Sequence, residues 1–96
     1  MKVRITRQAQ ADLEEIAEWI GRDNPDRAIS FVDELLVRCR SLAEHADRFP
    51  VYRELRGITV RKMSHRDYVI LYVRLADRVE VAHIVHGARD LEALLP

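Results

Sequence analysis

Cysteine and long apolar runs are scarce in this sequence, and each scarcity excludes a class of protein. The only cysteine, Cys39, permits neither an internal disulfide nor a cysteine-based metal site. No apolar run approaches the roughly 18–20 residues of a membrane span, and residues 1–4 lead into no stretch typical of a signal peptide. The 96 residues suit a single domain, 1–96, and we expect it to be soluble and cytoplasmic.

An excess of charge of one sign is also lacking, because 16 Lys and Arg side chains face 16 Asp and Glu side chains. No overall field therefore attracts the chain to nucleic acid. Along the chain the charges are uneven. Residues 12–23 hold five carboxylates and one arginine, and residues 53–66 hold five cations and one glutamate. Each block is typical of a solvated face, and the basic block falls on a turn and a strand.

The motifs of several common enzymes are absent as well. The sequence has no glycine-rich phosphate loop, no H-E-x-x-H and no nucleophile elbow. His83 and His86 have H-x-x-H spacing, but on a strand this spacing directs them to opposite faces, so we expect no metal site. Neither helix predicted within residues 7–46 has the basic stripe that a DNA backbone requires. We therefore expect no cofactor and no sequence-specific DNA binding by this chain.

Hydrophobic periodicity predicts six elements. Thr6 is the predicted cap of a first helix, and Asn24 with Pro25 begins a second one. Cys39 lies in the apolar stripe of the second helix, so we expect a buried, inert thiol. Residues 47–57 show no clear period. The predicted strands, in which β-branched and aromatic residues are common, are 2–6, 59–64, 68–75 and 78–85.

The order strand, helix, helix, strand, strand, strand predicts an α+β domain with an N-terminal helical hairpin on one face of an antiparallel sheet. A hairpin turn at 76–77 would place Leu75 opposite Arg78. One face then collects Met63, Val69, Leu71, Val73, Ala82 and Ile84. The other face collects Val60, Lys62, Tyr68, Ile70, Tyr72, Val79, Val81, His83 and Val85. Because two helices can cover only one face, we expect the second to be open to a partner, unless the tail at 91–95 folds back over it.

The C-terminal strand carries the most specific motif. The residues that match a known family are Val79–Val81, Ile84–Asp90 with its H-G-A-R-D ending, Ala11–Leu13 with Ile16, Asn24–Pro25 with Ala28 and Phe31, and Tyr68–Tyr72. Together they resemble the ParE toxins of the RelE/ParE superfamily. The resemblance runs over nearly the whole chain, in order, and it implies the β-α-α-β-β-β fold of that superfamily.

The resemblance implies the toxin of a type II toxin–antitoxin module, often called a plasmid stabilisation protein. ParE members poison DNA gyrase, whereas the RelE branch cleaves mRNA in the ribosomal A site, and the shared fold does not separate them. The best-known RelE form uses a tyrosine shortly after the arginine that Arg89 matches, but residues 90–96 contain neither Tyr nor His. We therefore expect a gyrase inhibitor that acts by binding and is not an enzyme. The alternatives are a RelE-like ribosome-dependent endoribonuclease and a non-toxic, antitoxin-binding relative.

The resemblance also implies a ParD-like antitoxin whose flexible C-terminal segment folds on the toxin. Cations and imidazoles near the sheet could contact a target, carry charge and protons in RNA cleavage, or be solvated. The predicted target-binding residues are Arg61, Lys62, His86 and Arg89. The predicted antitoxin-binding residues, chosen for aromatic or apolar character, are Trp19, Tyr68, Tyr72, Val81 and His83.

Overall fold

The computed structural model describes residues 1–94 as a five-stranded sheet with three helices. The elements are β1 (Lys2–Ile5), α1 (Arg7–Gly21), α2 (Pro25–His45), β2 (Val51–Leu55), β3 (Ile58–His65), β4 (Tyr68–Arg74), β5 (Arg78–His86) and α3 (Gly87–Leu94). The predicted α+β class is confirmed. Two elements, β2 and α3, are additional to the predicted order, and Leu95 of the predicted tail lies outside the described residues.

Both long helices begin as their sequences predict. The Thr6 side chain accepts a hydrogen bond from the backbone N–H of Ala9 at 3.2 Å and caps α1. The Asn24 side chain accepts one from the N–H of Arg27 at 3.0 Å, and Pro25 occupies the first position of α2. No helix in the described part of the chain has both the length and the apolarity to cross a membrane.

The sheet is mixed, with the strand order β1-β5-β4-β3-β2. Strands β2 to β5 are antiparallel neighbours, but β1 pairs parallel with β5, from Lys2 opposite Arg78 to Ile5 opposite Val81. The expectation of a wholly antiparallel sheet is therefore wrong at β1. The physical reason is the connection, because a parallel pair requires a long crossover and the α1–α2 hairpin lies between β1 and the other strands.

A β-bulge in β5 changes which side chains share a face. The predicted turn is confirmed, since the Leu75 N–H donates to the Arg78 carbonyl at 2.8 Å. Farther along, the pairing passes from Leu71 opposite His83 to Tyr72 opposite Val81. Ala82 is therefore the extra residue of a bulge, which reverses the alternation on the rest of β5. The predicted division of the sheet residues into two faces is wrong for this reason at Ile84, and it is wrong on β3 because Met63 pairs with Ile70.

The helices cover the sheet face that was expected to be open. We call this the inner face, and its buried members are Met63, Tyr68, Ile70, Tyr72, Val79, Val81 and Ile84. Tyr72 and Val81 are 0% exposed, and the Tyr72 hydroxyl donates to the Ala46 carbonyl at 2.6 Å. The prediction of an open face at Tyr68, Tyr72 and Val81 is wrong. Because β4 is apolar on both sides, its alternation does not indicate which side the helices cover.

The outer face of the sheet, opposite the helices, is partly covered by the chain itself. Its buried members are Val60, Val69, Leu71 and Val85. Tyr52 of β2 and Leu91 of α3 pack on them, and the Tyr52 hydroxyl donates to the Leu91 carbonyl at 3.4 Å. The alternative, a tail that folds back over the face with Tyr68 and Tyr72, is therefore wrong, because Leu91 packs on the opposite face of the sheet.

Candidate functional site

An open groove of about 690 Å³ lies between α1, the C-terminal half of β5 and the start of α3. Its volume falls in the range of ligand-binding clefts. Five of the nine predicted site residues line it, namely Trp19, Tyr68, His83, His86 and Arg89. The groove thus combines residues predicted to bind the target with residues predicted to bind the antitoxin.

One end of the groove is aromatic and cationic. Trp19, the only tryptophan of the sequence, has a side chain that is 54% exposed. The guanidinium carbons of Arg22 and Arg89 lie 5.4 Å and 5.6 Å from the centre of its ring, within the range of cation–π attraction. An exposed Trp beside two arginines is the kind of cluster that dominates binding energy in protein interfaces.

The middle of the groove is built on a buried carboxylate. Asp12 is 8% exposed, and its Oδ2 accepts a hydrogen bond from the backbone N–H of Ile84 at 2.9 Å. The same oxygen lies 3.3 Å from Nδ1 of His83, and Oδ1 accepts from the Gln8 amide at 2.9 Å. Since the β1–β5 pairing ends at Val81, Asp12 satisfies an edge N–H that has no strand partner in the described chain.

The role of Asp12 was not predicted from the sequence, because this residue belongs to the acidic block of residues 12–23 that is typical of a solvated face. A signal for its burial was present. Position 12 lies three residues after Ala9 and four before Ile16, on the apolar face of the first helix. A carboxylate on that face requires a buried donor, and the structure provides one.

His86 and Gly87 of the H-G-A-R-D motif fix the start of α3. The Nδ1 atom of His86 accepts a hydrogen bond from the Arg89 N–H at 3.3 Å, and its ring meets Tyr68 edge-on with 5.4 Å between centres. A Cβ atom at Gly87 would lie 3.2 Å from a methyl group of Val69, so a side chain there would require Val69 to shift by a few tenths of an ångström. These contacts hold Arg89 at the groove.

Arg61 and Lys62 lie away from the groove, on opposite faces of β3. Arg61 donates to the Phe49 carbonyl at 2.7 Å, and the Lys62 ammonium nitrogen lies 5.8 Å from the Tyr52 ring centre. Consecutive strand residues alternate between faces, so the structure does not bring the four predicted target-binding residues into one cluster.

Another part of the basic block is an ionic cluster around Glu34 of α2. Its carboxylate accepts a hydrogen bond from Arg27, lies 2.9 Å from the His65 imidazole and 3.6 Å from the Arg66 guanidinium. The bonds from Arg27 and then His65 lower the pKa of Glu34 from 4.5 to about 2. This cluster connects α2 to the end of β3.

The one cysteine, Cys39, is buried. Burial raises the pKa of its thiol to about 11, in accord with the inert thiol predicted for it.

The outer face carries a marked excess of cations. Its charged residues, placed by pairing register or by contact with Tyr52, are Lys2, Arg4, Arg53, Lys62, Arg78 and Glu80. Glu80 accepts hydrogen bonds from both Arg4 and Arg78 at 3.0 Å.

Across the described residues, no group of three or more His, Cys, Asp or Glu side chains is arranged to hold a metal ion.

The arrangement of helices and strands is similar to that of a solved structure, the "Chromosomal ParDE TA system from P. aeruginosa", with a TM-score of 0.75. The match covers 90% of this chain and 95% of that chain at 18% identity, which shows a shared fold. A family model described as the ParE toxin of the type II toxin–antitoxin system, parDE, matches residues 3–91. The chain therefore belongs to the ParE toxin family. No curated protein matches it.

Proposed function

We propose that this chain inhibits DNA gyrase by binding to it and that a cognate ParD-like antitoxin neutralises it. The observation that carries the proposal is the match to the ParE toxin model over residues 3–91. ParE toxins are the gyrase-directed branch of their superfamily, and the resemblance to them therefore implies gyrase as the target of this chain. An inhibitor of this kind requires a binding surface and no reacting group.

We assign the gyrase contact to the open groove between α1, β5 and α3, which we call the Trp19 groove. Trp19 presents a large rigid ring to solvent, and Arg22 and Arg89 can donate to carboxylates or carbonyls beside it. Helices α1 and α3 position the site, since Asp12 of α1 binds the Ile84 N–H of β5 and His86, at the end of β5, accepts a hydrogen bond from the Arg89 N–H of α3. A preorganised surface of this type loses little conformational entropy when it binds a partner.

A supercoiling assay tests this proposal. Protein freed of its antitoxin should block the supercoiling of relaxed plasmid by gyrase and ATP. Trp19→Ala and Arg89→Ala should each raise the half-inhibitory concentration at least about tenfold, as expected for interface anchors. Val37→Ala is the matched control, because Val37 is also an exposed apolar residue on a helix but lies on α2. Thermal unfolding of each variant checks that the fold is retained.

Full supercoiling at saturating wild-type protein would exclude the gyrase proposal. The cationic outer face favours a second candidate, a RelE-like endoribonuclease, because basic surfaces attract the RNA backbone. Cleaved message in a translation extract, with supercoiling intact, would establish that alternative. If both assays are silent and expression does not slow growth, the chain is a non-toxic relative that binds the antitoxin.

A further inference from the structure

We infer that the Trp19 groove binds an extended peptide segment of gyrase, whose main-chain groups meet the imidazoles of His83 and His86. This inference rests on the proposed function, because gyrase is the proposed target. It goes further in naming the chemistry that the groove recognises. The segment supplies a hydrogen-bond donor to Nε2 of His83 and an acceptor to Nε2 of His86.

The contact with Asp12 fixes the tautomer of His83. Nδ1 of His83 lies 3.3 Å from Oδ2 of Asp12, and the same oxygen accepts a hydrogen bond from the Ile84 N–H. An ionised carboxylate only accepts hydrogen bonds, so Nδ1 of His83 carries the proton that lies between the two groups. In the neutral imidazole the other nitrogen, Nε2, is then an acceptor.

His86 has the opposite tautomer. Its Nδ1 atom accepts a hydrogen bond from the Arg89 N–H at 3.3 Å, at the start of α3. A ring nitrogen that accepts carries no proton, so the neutral imidazole has its proton on Nε2, which is a donor. The two histidines therefore present one acceptor and one donor.

Both Nε2 atoms are available to a ligand. Within residues 1–94 neither atom forms a hydrogen bond and neither is a buried atom without a partner, so both are exposed to the groove. Strand alternation places the two side chains on opposite faces of β5. Both nevertheless line the groove, because it opens along the edge of β5 that β1 leaves uncovered after Val81.

An extended peptide supplies both kinds of group. Each of its residues other than proline has a free N–H and a free C=O, whereas a helix uses these groups internally. His83 and His86 are three residues apart on a strand, which places their Cα atoms about 10 Å apart. The two imidazoles therefore meet different residues of one segment that lies along the edge of β5.

The charges of the groove favour a protein segment over nucleic acid. The charged residues that line it are the acidic Asp12, Glu15, Glu18 and Asp90 and the basic Arg22 and Arg89. This excess of carboxylates repels a phosphate backbone, which requires a basic surface. Trp19, at one end of the groove, offers its exposed ring to an apolar side chain of the segment.

Substitutions that keep one ring nitrogen and remove the other test the two tautomers. His83→Asn keeps an amide N–H for Asp12 but has no acceptor at the position of Nε2, whereas the longer side chain of His83→Gln reaches that position. His86→Asn keeps an acceptor for the Arg89 N–H, as an N-cap residue does, but has no donor at the position of Nε2. His45→Asn is the matched control, because His45 lies at the end of α2 and outside the groove.

The measurements are the half-inhibitory concentration in the supercoiling assay and the dissociation constant for purified gyrase, by surface plasmon resonance without DNA. His83→Asn and His86→Asn should each raise both values about fivefold, as expected for the loss of one hydrogen bond. His83→Gln should lie closer to the wild type than His83→Asn does, and His45→Asn should match the wild type. Thermal unfolding of each variant checks that the fold is retained.

The outcomes separate this inference from the proposed function. If both asparagine variants keep wild-type values while the wild type inhibits gyrase, the inference is wrong and the proposed function stands. Equal losses in His83→Asn and His83→Gln would show that the acceptor has no role and would also overturn it. Gyrase binding that occurs only with DNA present would assign the groove to nucleic acid instead. A wild type that neither binds nor inhibits gyrase would refute both proposals.

Discussion

Replacing Asp12 by Ala tests whether a buried carboxylate of α1 holds the open edge of β5. The Ile84 N–H is buried and donates to Asp12 at 2.9 Å, so Asp12→Ala leaves this donor without a partner. An unsatisfied buried donor costs about 1–3 kcal/mol, and relief of the buried charge offsets only part of this. We expect the free energy of unfolding to fall by about 2 kcal/mol, which for a domain of this size lowers the Tm by roughly 8–16 °C.

Urea unfolding at pH 7, followed by circular dichroism, measures the loss. Glu14→Ala is the control, because Glu14 is exposed on the same helix, and it should change stability by less than about 0.5 kcal/mol. Asp12→Asn should lie between the two, since its amide oxygen still accepts a hydrogen bond. Amide exchange at Ile84 should accelerate in Asp12→Ala more than at other positions of β5. Equal stability of the two alanine variants, or unchanged exchange at Ile84, would refute the reasoning.

Three further predictions concern groups away from the groove. The pKa of Glu34, held near 2 by Arg27 and His65, makes its carboxylate stabilising above pH 4.5, and this contribution is lost as pH falls through 2. The stability difference between wild type and Glu34→Gln should therefore close between pH 5 and 2, and a constant difference in urea titrations would contradict this. The Cys39 thiol, with a pKa of about 11, should react with a disulfide reagent at pH 8 only as fast as the chain unfolds, and an immediate reaction of the native protein would show that it is accessible. Tyr72→Phe leaves the Ala46 carbonyl without its donor and should lower the free energy of unfolding by about 1–2 kcal/mol, whereas an unchanged urea midpoint would mean that water replaces the hydroxyl.

The helices and the central strands could be predicted because their signals are local. Thr6 and Asn24 are caps with side-chain acceptors, and the alternation of β-branched residues indicates β3, β4 and β5. The bulge at Ala82 has no such signal, because a strand that is apolar on both faces looks the same before and after a shift of one residue. Strand β4 is also apolar on both faces, and for that reason the face with Tyr68 and Tyr72 was wrongly predicted to be the open one.

The candidate site was predictable in part for a related reason. Trp19, His86 and Arg89 have side chains whose chemistry stands out in the sequence, and all three line the groove. Asp12 did not stand out, because its neighbours in sequence are also acidic and only the fold brings Ile84 to it. The division of Arg61 and Lys62 between two faces, in contrast, follows from strand alternation alone, and the predicted target-binding set did not take it into account.

The parallel pairing of β1 with β5 has a consequence for the newly synthesised chain. Each residue of β1 pairs with a residue of β5 that is synthesised 76 positions later. At about 5–20 residues per second, ribosomes need roughly 4–15 s to make that interval. Until then the first strand has no neighbour and the apolar sides of both long helices lack their sheet. The domain becomes complete only when its last strand has been synthesised, so the proposed antitoxin can bind the finished sheet only after that point.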